Sequence, residues 1–135
     1  MAKLNYSRQR EAILDYLCNT TSHPTAEEVY RHIQEIYPNI SLGTVYRNLA
    51  LLVAHGQALK IQGDDCDHFD GNTMLHYHFI CNECHHVYDV CMEPSTELND
   101  AAAASFPGRI LGHSTLFYGI CQNCMAKEPG SGQLA

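Results

Sequence analysis

Apolar residues recur at helical spacing through the first sixty positions and then give way to shorter, strand-like runs. Ile13, Leu14 and Leu17 share one face behind Ser7, which predicts a capped helix running to about Asn19. Thr25 and Glu28 have the spacing of a capping box and open a second helix. Its buried stripe is read as Val29, Ile33 and Ile36, with Pro38 preventing continuation. Ser41 caps a third helix carrying Val45, Leu49 and Leu52, and Gly56 stands where a C′ glycine belongs. Ala58 to Gln62 is strand-like, Gly63-Asp64-Asp65 is a turn, and Cys66 to Phe69 is the return strand. Three short helices followed by a hairpin describe a winged helix-turn-helix. Its third helix offers Thr44, Tyr46, Arg47 and Asn48, side chains suited to phosphates and base edges.

The second half alternates differently. Met74 to Cys81 and Val87 to Met92 read as strands, Thr96 to about Phe106 as an alanine-rich helix stopped by Pro107-Gly108, and Arg109 to Ile120 as a last strand. The fold class is therefore α+β. Residues 1–70 form a winged-helix DNA-binding domain, 74–126 a small α/β dimerisation and metal-binding domain, and 127–135 a flexible tail.

Charge supports that division. The net charge of −7 over 135 residues argues at first against a polyanionic partner. Residues 1–62, however, carry six basic groups against five acidic ones, whereas residues 63–135 carry two against ten. The first half can approach a polyanion; the second is suited to holding cations or to staying away from one. The longest apolar run, Leu49 to Ala54, is too short to span a bilayer, and Met1 to Arg8 lacks the apolar core of a signal peptide. Seven cysteines, four of them in CxxC pairs, fit a reducing cytoplasm better than a disulfide framework. Cys18, beside Leu17, reads as a buried small residue.

The strongest chemical signal is the pair Cys81-Asn-Glu-Cys84 and Cys121-Gln-Asn-Cys124, with 36 residues between them. Each CxxC grips half of a tetrahedral centre, and together they make a closed four-thiolate site for structural Zn2+. A second constellation stands just upstream. His76 and His78, two apart on a strand, point to one side, with Asp70 and Asp89 close by in sequence. Imidazoles mixed with carboxylates suit Fe2+, Mn2+ or Zn2+.

His23-Pro-Thr-Ala-Glu27, Thr44-Val-Tyr-Arg-Asn-Leu49, Phe69-Asp70, His76-Tyr-His-Phe-Ile-Cys81 and Tyr118-Gly-Ile-Cys121 closely resemble the ferric uptake regulator (Fur) family, in unbroken order from about Tyr6 to Met125. Within the family the chain is most similar to the peroxide-sensing PerR branch, since an aspartate stands at position 89 where iron-sensing members usually have glutamate. The resemblance implies a homodimeric, cytoplasmic, metal-dependent repressor that reads an inverted-repeat operator in double-stranded DNA. It also implies a regulatory Fe2+ or Mn2+ held by His23, Asp70, His76, His78 and Asp89. His23 enters on resemblance alone. His23 and His76 are by the same resemblance the side chains that peroxide would oxidise. The chain departs from the family pattern at His85 and His86, where Gly-Lys is usual, and in its extra thiols Cys66 and Cys91. His113 is a possible ligand of the family's third site, but Leu75 and Tyr77 replace the polar partners, so no full third site is expected.

Three other readings compete. One is an iron-, manganese- or zinc-responsive Fur-type repressor without peroxide chemistry. Another is a small zinc metalloenzyme using His76, His78 and an aspartate, although no helical HExxH supplies a base. The third is a zinc-ribbon thiol protein for redox buffering. The favoured expectation is a regulator with no membrane association and no enzymatic activity.

Overall fold

A computed structural model of the chain describes residues 6–63 and 65–128. The chain divides into two compact units, Met1–Thr73 and Met74–Ala135.

The first unit contains α1 (Arg8–Cys18), α2 (Ala26–Gln34), α3 (Leu42–Ala54), β1 (Leu59–Gln62) and β2 (Asp67–Asp70). Each helix starts where its sequence supplies a cap. The Ser7 hydroxyl accepts from the Arg10 N–H, Thr25 and Glu28 exchange both bonds of a capping box, and Ser41 accepts from the Thr44 N–H. Such caps contribute about 1 kcal/mol each. Gly56 ends α3 at φ +72°, the left-handed conformation a C′ glycine adopts without a Cβ clash. Ile13 and Leu17 of α1, Val29 and Ile33 of α2, and Val45, Leu49 and Leu52 of α3 form an almost solvent-free core, joined by Phe69 of β2. Strands β1 and β2 pair antiparallel, Leu59 opposite Asp70 and Gln62 opposite Asp67. Helices and hairpin together make the winged helix-turn-helix.

Three expectations within this unit need correction. Ile36 is 56% exposed, because α2 ends at Gln34 and Ile36 lies beyond its C-cap, off the buried stripe. Cys18 is exposed rather than buried: it follows Leu17 by about 100° of helix, and its sulfur lies 3.9 Å from the Gly71 carbonyl. Asn48, expected on the outer face of α3, is buried. It stands in the stripe Val45, Asn48, Leu49, Leu52, at i, i+3, i+4 and i+7.

The second unit contains β3 (Tyr77–Cys81), β4 (Val87–Val90), α4 (Glu97–Ser105), β5 (Leu116–Gly119) and α5 (Gln122–Lys127). The sheet order is β4-β3-β5, with β3–β4 antiparallel and β3–β5 parallel. A parallel pair needs a long crossover, and α4 lies within it. The strands are shorter than the sequence predicts. β3 begins at Tyr77, so His76 precedes it, and the final strand occupies only four of the twelve residues expected. Helix α5 is an element the apolar pattern did not reveal. Lys127, assigned to the tail, ends α5; residues 129–135 of the expected tail lie outside the described residues. Among the described residues no helix is long and apolar enough to cross a membrane.

Candidate metal centres

The parallel pairing of β3 with β5 is what joins the two CxxC turns. It sets Cys81 opposite Gly119, two residues before Cys121, and the Asn82 N–H donates to the Gly119 carbonyl at 2.7 Å. Cys81 ends β3, Cys84 closes the turn after it, Cys121 caps α5, and Cys124 sits in the first turn of that helix. All four sulfurs lie within 4.8 Å of one another, and those of Cys84 and Cys121 are 3.8 Å apart. Four sulfurs at about 2.3 Å from a tetrahedral ion would be about 3.8 Å apart.

The backbone also prepares for negative charge. N–H groups of Glu83, Cys84 and Cys121 each lie 3.4 Å from the Cys81 sulfur. Burial pushes the Cys81 thiol up, but the N–H groups of Cys84, Cys121 and Glu83 outweigh it and bring it down to about 6. Cys124 moves the other way, to about 12, through desolvation and then its hydrogen bonds with the other three sulfurs. Cys121 is also lowered, chiefly by the Cys124 N–H, while Cys84 is raised. The cluster thus favours thiolate at two sulfurs and resists it at the other two, as expected where a divalent cation must supply the balancing charge. The donor set fits zinc.

The imidazole and carboxylate groups fall into two sets. In the first unit His23 Nε2 lies 3.2 Å from Asp70 Oδ2, and both residues are buried. His23 takes φ +52°, in the left-handed region. The Asn72 N–H donates to Asp70 Oδ1 at 2.9 Å, fixing the carboxylate from behind. In the second unit Asp89 sits opposite His78 across β3 and β4. Its Oδ1 lies 3.0 Å from His76 Nε2 and 3.5 Å from His78 Nε2. His76 Nδ1 is 2.7 Å from the Met74 carbonyl, which can only accept, so Nδ1 carries the proton and Nε2 faces the carboxylate. The two imidazoles do converge, but not as consecutive same-side positions of one strand. His76 lies outside β3, and Asp89 is where it meets His78.

On α3, Tyr46 and Arg47 are exposed and Thr44 is half-buried. Arg47 Nη2 donates to Thr44 Oγ1 at 3.1 Å. Asn48 is turned inward, so it is withdrawn as a DNA contact. His68 is a residue the sequence reading missed. It is buried in β2, with Nδ1 2.8 Å from the His23 carbonyl. Its position two residues before Asp70 was the available signal.

Residues 1–115 match the sequence model of the Ferric uptake regulator family. The chain belongs to the Fur family. Among its Fur relatives, the peroxide operon regulator of Bacillus subtilis (strain 168) is 37% identical over 121 residues, covering 89% of this chain and 83% of that protein. The peroxide-responsive repressor PerR of Staphylococcus aureus (strain Mu50 / ATCC 700699) is 35% identical over 127 residues, covering 93% and 86%. The crystal structure of the Campylobacter jejuni peroxide stress regulator superposes with a TM-score of 0.75 at 28% identity, covering 86% of this chain and 88% of that one.

Proposed function

We propose that this Fur-family protein is a metal-dependent, DNA-binding transcriptional repressor that responds to hydrogen peroxide. The observation that carries the reading is the convergence of His76 and His78 on one oxygen of Asp89, a partial coordination shell in a chain whose relatives include a peroxide operon regulator and a peroxide-responsive repressor. Three donors leave a first-row divalent ion short of ligands. His23 and Asp70 are the further imidazole and carboxylate that the family resemblance adds. An ion bound by these ligands favours the DNA-binding state by its differential affinity for it.

The regulator acts in the cytoplasm as a homodimer, so that two α3 helices meet the two halves of an inverted repeat. Thr44, Tyr46 and Arg47 contact the operator. Cys81, Cys84, Cys121 and Cys124 hold structural zinc, which has no open position and does no chemistry. The regulatory site takes Fe2+ or Mn2+, and no enzymatic turnover is involved.

When iron is bound it supplies the one-electron chemistry that activates peroxide beside the imidazoles. The net change at a histidine is replacement of a ring C–H by C–OH, which tautomerises to the oxo form, while H2O2 is reduced to water. An oxidised His23 or His76 is a poorer donor, and the metal-bound state that holds DNA is lost.

Gel retardation on an inverted-repeat operator tests the reading, using protein purified anaerobically and loaded with Mn2+ or Fe2+. Both metals should retard the DNA, and a peroxide pulse should release it from the Fe2+ form alone. Release from both forms, or from neither, would leave a Fur-type metal sensor without peroxide chemistry. Retardation independent of divalent metal would overturn the metal-dependent reading.

A further inference from the structure

Two residues of β2 reach His23 at opposite ends. Asp70 lies 3.2 Å from its ring, and His68 Nδ1 lies 2.8 Å from its backbone carbonyl. His68 and Asp70 are i and i+2 on one strand, hence on the same face. A carbonyl only accepts, so His68 Nδ1 carries the proton and donates it. The other ring nitrogen, Nε2, is buried with no hydrogen-bond partner among the described residues, so the bond to His23 is the polar tie that fixes this ring. Two further contacts lace the same segment to the strand: Thr25 bridges His68, and the Phe69 N–H donates to the Pro24 carbonyl at 2.9 Å.

His23 needs such a tie. Its φ of +52° is unfavourable for a residue with a Cβ, and the proline that follows disfavours the right-handed helical alternative. Strained backbone persists where the surroundings over-determine it. Here the constraint comes from the strand that also carries Asp70, so backbone and ring of His23 are referenced to one element.

We propose that His68 is a positioning residue for the regulatory metal site: it holds the His23 backbone in its left-handed turn and so presents the His23 imidazole to the ion beside Asp70. This rests on His23 and Asp70 being ligands of that ion, as proposed above. Orienting groups behind a metal ligand typically alter affinity by about ten- to a hundredfold.

Three variants of the full-length, zinc-loaded protein test it by calorimetric titration with Mn2+. His68→Leu keeps the bulk and removes the donor, and should weaken Mn2+ binding by about tenfold or more with the zinc count unchanged. His68→Asn places an amide N–H where Nδ1–H was and should recover most of that loss. His23→Ala reports on the ligand itself and should weaken binding at least as much as His68→Leu. Independently of any added Mn2+, imidazole 15N spectra of the wild-type protein should show His68 as the Nδ1–H tautomer. An Nε2–H tautomer there would overturn the proposal. Wild-type affinity in His68→Leu alongside weak binding in His23→Ala would overturn it too, leaving the ligand assignment standing. Wild-type affinity in His23→Ala would instead bring down the ligand assignment and the proposal with it. Should His68→Leu not fold, failure of the Asn variant to bind Mn2+ within a few-fold of wild type would count against it equally.

Discussion

The Tyr77 hydroxyl and His113 Nε2 lie 2.8 Å apart, and the same hydroxyl accepts the Ser95 N–H at 2.7 Å. His113 Nδ1 in turn lies 2.7 Å from Asn99 Oδ1, so both ring nitrogens are engaged. The chain Ser95–Tyr77–His113–Asn99 ties α4 and the segment before β5 to the central strand. Tyr77 itself is 3% exposed, and both hydrogen bonds of its hydroxyl are partly buried. Tyr77→Phe should therefore cost about 1–3 kcal/mol, the range for stranding partly buried partners. Urea denaturation of the zinc-loaded protein measures it, and a midpoint equal to wild type would contradict the tie.

Removing one sulfur from the four-thiolate cluster should unfold the second unit, since zinc binding there is folding free energy. Cys81→Ser and Cys124→Ser are the informative variants, read by zinc content and far-ultraviolet circular dichroism. Zinc must displace the proton of Cys124, held up to about 12, so binding releases protons and apparent affinity should fall as pH is lowered. Competition with a chelator at several pH values checks the sign. A folded, zinc-free Cys124→Ser protein would refute the structural role.

Two neighbours on α3 should behave oppositely. Arg47 is exposed, and Arg47→Ala should weaken operator binding while reducing the dependence of log affinity on log salt by about one unit, with zinc and thermal midpoint unchanged. Asn48 is buried between Val45 and Leu52, so Asn48→Ala should act on stability, by about 1 kcal/mol. Fluorescence anisotropy on labelled operator, paired with thermal melts, separates them. Equal effects on both readouts in both variants would contradict the assignment.

What could be read from the sequence follows how local each determinant is. The caps at Ser7, Thr25 and Ser41, the C′ glycine at position 56 and the two CxxC turns were legible because each is fixed by interactions a few residues apart. Asn48 was legible in principle: it fills the i+3 position of a stripe already identified, and only its polarity suggested the outer face. The extent of the last strand was not legible, because apolar residues from Arg109 onward look alike while only Leu116–Gly119 finds a ladder beside β3. His23 could not be placed from spacing, since its neighbours Asp70 and His68 lie more than forty residues away.

Asp89 faces both His76 and His78, so its loss should disable the regulatory site more than loss of either imidazole. Asp89→Ala should abolish Mn2+-dependent operator retardation and retain one zinc per chain. Its side chain is 39% exposed, so little folding stability should be lost, and a thermal midpoint close to wild type is expected. Retardation by Mn2+ at wild-type concentrations in this variant would refute the ligand role.

The most consequential prediction concerns where peroxide acts. Cys66 is exposed, but partial desolvation pushes its thiol up and the neighbouring Asp65 pushes it further, so thiolate is scarce at neutral pH and oxidation there should be slow. His23 and His76 each present a ring nitrogen to a carboxylate of the proposed ion shell, within about 3 Å of it. Peptide mass spectrometry of the Fe2+ form after a peroxide pulse should therefore find one added oxygen on the peptides containing His23 and His76, in proportion to the DNA released. The Mn2+ form, whose metal is a poor reductant of peroxide, should stay unmodified and bound. Oxidation confined to Cys66 or Cys91, with both histidines intact, would move the sensing chemistry to thiols and leave the imidazoles as plain metal ligands.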